Sequence, residues 1–228
     1  MDLIGVDGCR GGWVVATLGP AARAPVRFSL VQTLESVLEP ALAGAATVVI
    51  DIPIGLPERE SRRCDLQARA LLGPTRRGSV FPAPSRAALE AVDDYARACA
   101  LNEGALATRL SRQTFHLLPR IAHVDALMSP ALQARVREGH PEVIFRLLAR
   151  RALSASKRTP EGLAERLQLL DQAGAVVPVD EVRAALGRSR VGADDVVDAT
   201  ACALAARRVA AGEALVFPLA TTEVDARG

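Results

Sequence analysis

Apolar and polar positions near the start of the chain follow a strand pattern before they follow a helical one. Residues 3–7 are a short apolar run ending in an acid, 8–12 are rich in glycine, and 13–18 are apolar and β-prone again. Two such runs around a glycine-rich turn predict a β-hairpin. A further turn over 19–25 leads to a third predicted strand at 26–31. Leu34, Val37, Leu38, Ala41 and Leu42 then recur at helical spacing, so 34–43 reads as a helix capped by Thr33 and stopped by Gly44. Residues 47–52 are a continuous apolar run interrupted by one acid, Asp51, and closed by Pro53. That pattern suits a central strand covered on both faces.

Beyond residue 57 the pattern changes. Residues 57–86 are polar and rich in arginine, with breaks at Gly73-Pro74 and around Pro82 and Pro84. Helical periodicity returns at 85–101 and 105–130. Residues 134–138 suit a short strand, and further helices fit 141–152, 160–173, 180–187 and 194–211. Pro141 fits a first helical position, where its missing N–H costs nothing. A hairpin, a third strand, a helix, a central strand and later helices predict an α/β fold with a mixed sheet.

Composition narrows the function classes. A chain of 228 residues, half of them hydrophobic, forms one domain with room for an insertion, and disorder is excluded. The longest apolar runs fall far short of a membrane span, and residues 1–10 carry no secretion-signal pattern, so no membrane partner is expected. Cys9, Cys64, Cys99 and Cys202 are scattered without a CxxC pair, which argues against zinc and suits a reducing, cytoplasmic setting. A net charge of +2 with 3% aromatic residues does not announce a nucleic-acid binder and supplies no base-stacking surface. The pattern leaves the oligomeric state open.

Candidate chemistry lies in acids placed against apolar segments. Asp7 ends the first strand and Asp51 sits inside the strongly apolar one. If those strands are neighbours, the two acids meet at one sheet edge. The third group is Asp194, Asp195 and Asp198. Asp194 is a natural N-cap, and Asp195 and Asp198 share a helix face ahead of an almost wholly small and apolar stretch. Carboxylates from separate segments, without a His or Cys cage, suit a hard cation such as Mg²⁺ or Mn²⁺. Such a centre activates water and stabilises charge in phosphodiester hydrolysis. His140 and Glu142 form a second polar element; His140 can carry a proton, and Glu142 either ligates metal or answers the helix dipole. Lys157, the only lysine, either neutralises a phosphate or is an ordinary surface residue. Gly8 and Arg10 in the glycine-rich turn, and Arg63, Arg69 and Arg86 in the basic segment, are candidates for holding phosphate.

These segments also resemble a known family. Residues 5–13 (GVDGCRGGW), Asp51-Ile52-Pro53-Ile54-Gly55-Leu56-Pro57, Arg63-Cys64-Asp65 and Ala68-Arg69 match its motifs. So do residues 79–84 (SVFPAP), Gln113, His140-Pro141-Glu142, Ser156-Lys157 and residues 194–199 (DDVVDA). In order, from about residue 4 to 206, they resemble the DUF429 family of predicted RNase H-like proteins. The resemblance implies three antiparallel strands, a helix, then parallel strands with crossover helices, all within one domain over 1–228. Residues 57–130 would be a helical insertion, serving as a lid. It further implies that Asp7, Asp51 and either Asp195 or Asp198 hold metal. The first-helix acid usual in true RNase H enzymes has only Glu35 and Glu39 as counterparts here, outside the family motifs, and Glu138 or Glu142 can substitute. The leading expectation is a metal-dependent nuclease using Mg²⁺ or Mn²⁺ on nucleic acid. An actin-like phosphotransferase and a non-catalytic binding module of the same fold are the rivals.

Overall fold

The computed structural model describes residues 1–19, 23 and 25–219; the turn expected over 19–25 lies largely outside the described residues. Strands β1 (Asp2–Cys9) and β2 (Gly12–Leu18) form the expected hairpin, and β3 (Arg27–Val31) pairs antiparallel with β2. Helix α1 (Glu35–Leu42) leads to β4 (Ala46–Ile50), which lies parallel to β1 on the side away from β2. Helices α2 (Arg63–Arg76), α3 (Tyr95–Leu106) and α4 (Arg112–Leu127) follow. The chain continues through α5 (Pro130–Gln133), β5 (Val136–Glu138), α6 (Pro141–Ala149), α7 (Pro160–Gln172), α8 (Val179–Leu186) and α9 (Ala193–Ala210). β5 joins β4 in parallel, so the sheet order is β3-β2-β1-β4-β5. Three antiparallel strands followed by parallel ones is the mixed α/β arrangement expected above.

The chain forms two compact units. One contains Met1–Ile52 and Ala131–Ala214, the other Pro53–Pro130 with the described residues from Leu215. In the first, the sheet packs against α9, whose Val196, Val197, Ala199, Ala203 and Leu204 are buried with Val14, Ala16 and Leu18. Gly5 sets the distance: a Cβ there would lie 2.0 Å from the Ala199 carbonyl oxygen and 2.1 Å from the Ala203 nitrogen. Only a residue without a side chain lets the helix backbone come this close to the strand. In the second unit, a small core of Ala88, Ala91, Ala98, Cys99, Leu110 and Leu118 is buried.

Several boundaries differ from expectation for local reasons. α1 begins after Leu34, not after a capping Thr33. Leu34 is fully buried, and its carbonyl takes the N–H groups of Val37 and Leu38, so burial of the leucine sets the helix start. The helix expected over 85–101 is a 3₁₀ turn (Arg86–Ala91) followed by α3, because the Asp94 side chain caps a new start by accepting the Arg97 N–H. The one expected over 105–130 is broken likewise: Ala107 turns left-handed at φ 54° and Ser111 caps α4 through the Thr114 N–H. Strand β1 runs on to Cys9, so Asp7 lies within it, whereas Asp51 stands one residue past β4.

Candidate metal centre

The site is built on the pairing of β1 with β4. Val6 is opposite Ile50, and the Asp51 N–H donates to the Val6 carbonyl at 2.9 Å, so Asp7 and Asp51 leave adjacent parallel strands side by side. Gly5 and Asp7 are two residues apart and face the same side of the sheet. Gly5 lies against Ala199 and Ala203 of α9, which brings the neighbouring Asp198 over Asp7. Asp7, Asp51 and Asp198 each offer a carboxylate oxygen, all within 4.8 Å of one another. Asp198 is 1% exposed and Asp7 9%.

Crowding and burial act on these acids together. Burial pushes Asp7 well above the usual carboxylate range, and the charges of Asp51, Asp198 and Asp195 push it further. Burial also raises Asp51, against the pull of His140 and Lys157. Burial raises Asp198 to about 7 despite its bond from Lys157. Lys157 itself is pushed down by burial, but Asp198, Asp7 and Asp51 outweigh this and hold its ammonium firmly protonated. Beneath the acids, burial raises Cys202, and the charges of Asp51 and Asp7 add to that, so it stays a thiol.

Lys157 donates to Asp198 Oδ2, and the loop carrying it is fixed from several sides. The Ser156 carbonyl accepts from the Thr159 N–H at 3.0 Å and from the Thr159 hydroxyl at 3.1 Å. Gly162 presses so closely that a Cβ would lie 1.9 Å from that same oxygen. Arg166, fully buried, donates to the carbonyls of Gly162 at 2.8 Å and Ala155 at 3.3 Å. Its other Nη donates to Glu142 Oε1 at 2.5 Å. Glu142 therefore anchors the arginine that holds the lysine loop. Glu142 also lies in the first turn of α6, as the dipole reading expects, and its Oε2 is buried without a hydrogen-bond partner.

Other sequence candidates are placed as follows. Gly192, not Asp194, is the N-cap of α9, and Asp195 Oδ2 accepts the Gly192 N–H at 2.7 Å, closing the first turn from the third helical position. Asp195 thus acts on Asp7 through its charge rather than as one of the converging three. His140 stands at the N-cap position of α6, with Pro141 first in the helix as expected. The glycine-rich turn shrinks to Arg10-Gly11: Gly8 pairs with Trp13 in the ladder, the Gly11 N–H donates to the Arg190 carbonyl at 2.9 Å, and Arg10 is exposed. Arg63, Arg69 and Arg86 belong to the other unit. There Arg69 donates to the Val80 carbonyl at 2.7 Å and Arg86 forms a two-pronged bond to Asp125 at 2.7 and 2.8 Å. Arg63 is exposed at the start of α2. Gly5, Gly162 and Arg166 escaped the sequence reading. A glycine in the middle of an apolar strand was the available signal for the first.

A hard divalent cation fits these donors. All three converging groups are carboxylates, and Asp198 Oδ1 is buried without a hydrogen-bond partner, a costly arrangement that a cation would relieve. No helix among the described residues is long and apolar enough to cross a membrane. The model of the family described as "Protein of unknown function (DUF429)" matches residues 5–223, and the chain belongs to that family. No curated protein and no solved structure matches it.

Proposed function

We propose, with membership of the DUF429 family as the premise, that this chain is a metal-dependent phosphodiester hydrolase of nuclease type that acts on nucleic acid with Mg²⁺ or Mn²⁺. The observation that carries the reading is the meeting of Asp7, within β1, Asp51, one residue past the parallel strand β4, and Asp198, near the start of the buried helix α9, within 4.8 Å of one another. These three would hold the cation, which when bound supplies Lewis acidity at a phosphate oxygen and lowers the pKa of water. Lys157, a third exposed at the side chain, presents its ammonium to an incoming phosphate while bonded to Asp198. His140, whose charge is felt by Asp51, is the group suited to give or take a proton. Glu142 and Arg166 keep Lys157 in place. Cys9, Cys64, Cys99 and Cys202 are not joined in disulfides, which fits a cytoplasmic setting.

The test is cleavage of a panel of single- and double-stranded DNA and RNA with Mn²⁺ or Mg²⁺. The full chain should cut at least one substrate, and Asp7→Asn should lower cleavage to background while leaving the circular-dichroism spectrum unchanged. Cleavage that persists in the Asp7→Asn/Asp51→Asn double variant would overturn the assignment.

A further inference from the structure

We infer that the centre takes one divalent cation, not two, and that the Lys157 ammonium stands where a second cation would otherwise be held. This rests on the metal-dependent reading above. Lys157 donates to Asp198 Oδ2, while Asp198 Oδ1 is buried and has no hydrogen-bond partner. One carboxylate therefore has one oxygen already on a cation and the other free for a second cation. The ammonium is not an incidental surface charge. Its loop is held by Thr159, by the close approach of Gly162 and by Arg166, and Arg166 is fixed in turn by Glu142.

Charge balance points the same way. Three carboxylates, one ammonium and one divalent cation come to neutrality. A second divalent cation would leave this buried group with two uncompensated positive charges, and burial makes uncompensated charge expensive. The carboxylates needed to offset it are engaged or turned to solvent. Glu35 and Glu39 on α1 are exposed, Asp195 Oδ2 is on the Gly192 N–H, and the charge of Glu142, whose Oε2 is buried without a hydrogen-bond partner, is already balanced by Arg166. Among the described residues only Asp7, Asp51 and Asp198 form a cluster of this kind.

The experiment is Mn²⁺ binding to the full chain by calorimetry and electron paramagnetic resonance, in wild type, Lys157→Gln, Lys157→Arg and Asp7→Asn. Wild type should bind one Mn²⁺ with the spectrum of an isolated ion, and Asp7→Asn should weaken that binding at least tenfold. Lys157→Gln removes a positive charge from the cation's immediate surroundings and should tighten Mn²⁺ binding at least about tenfold. Lys157→Arg keeps the charge and should stay within about threefold of wild type. Two spin-coupled ions in wild type, or unchanged affinity in Lys157→Gln, would overturn the inference and leave the metal-dependent reading standing. No Mn²⁺ binding sensitive to Asp7→Asn would overturn both. If Lys157→Gln does not fold without metal, the wild-type stoichiometry decides the question alone.

Discussion

A carboxylate is buried at a cost that only a proton, a hydrogen bond or a cation removes. Asp7 meets that cost in the metal-free protein by holding its proton well above the usual range. Asp7→Asn replaces a group under repulsion with a neutral one of the same shape. It should raise the metal-free melting temperature at pH 8 by about 2–4 °C, the shift that roughly 1 kcal/mol produces in a chain of this size. The same variant should lose most of the melting shift caused by Mn²⁺. Differential scanning fluorimetry with and without Mn²⁺ reads both, and a less stable Asp7→Asn would show that the acids are not in conflict. At this scale the sequence was most informative about Asp7, Asp51 and Asp198, because an acid next to an apolar run has few harmless explanations. It was least informative about Glu142. The partner that defines it, Arg166, lies on another helix, and no local pattern links the two.

Elements here are positioned by missing side chains as much as by apolar stripes. Gly5→Ala would drive a methyl group into the backbone of α9 at Ala199 and Ala203, where no rotamer change can make room. The loss should exceed about 3 kcal/mol in urea unfolding, at the upper end for overpacking. Gly162→Ala meets the Ser156 carbonyl instead and should push the Lys157 loop outward. Mn²⁺ affinity should then rise, in the direction expected of Lys157→Gln, even though alanine is the better helix former. An affinity unchanged from wild type would separate the loop's position from the lysine's role. Helix existence was legible from periodicity, while helix ends were not. Asp94 and Ser111 interrupt stretches whose apolar spacing continues across them, and one short side chain accepting one N–H decides the break.

For the molecule as a whole, the acids couple stability to pH and to metal. Asp198 is raised to about 7 from an ordinary 3.8, so the native state holds that proton more tightly than the unfolded chain does. Its contribution is complete below about pH 4 and is lost as the pH rises through about 7. The metal-free melting temperature should therefore fall across that window. Mn²⁺ at a hundredfold excess over its Kd should restore about 2.7 kcal/mol, or roughly 5–10 °C, at pH 7.5. A melting temperature flat from pH 5 to 8 without metal would contradict this coupling. The strand order could be anticipated because hairpin, helix and apolar strand follow one another within the first fifty residues, where connections are short. The helical stretch from 57 onward gave no such guide, since its turns depend on single caps. One consequence follows from the docking of α9 on β1. The cluster joins β1 to α9, so Asp7 and Asp51 lie far ahead in the sequence of Asp198, the residue that completes it. A fragment of this chain that stops short of α9 lacks Asp198 and, on the metal-dependent reading, should bind Mn²⁺ far more weakly than the full chain.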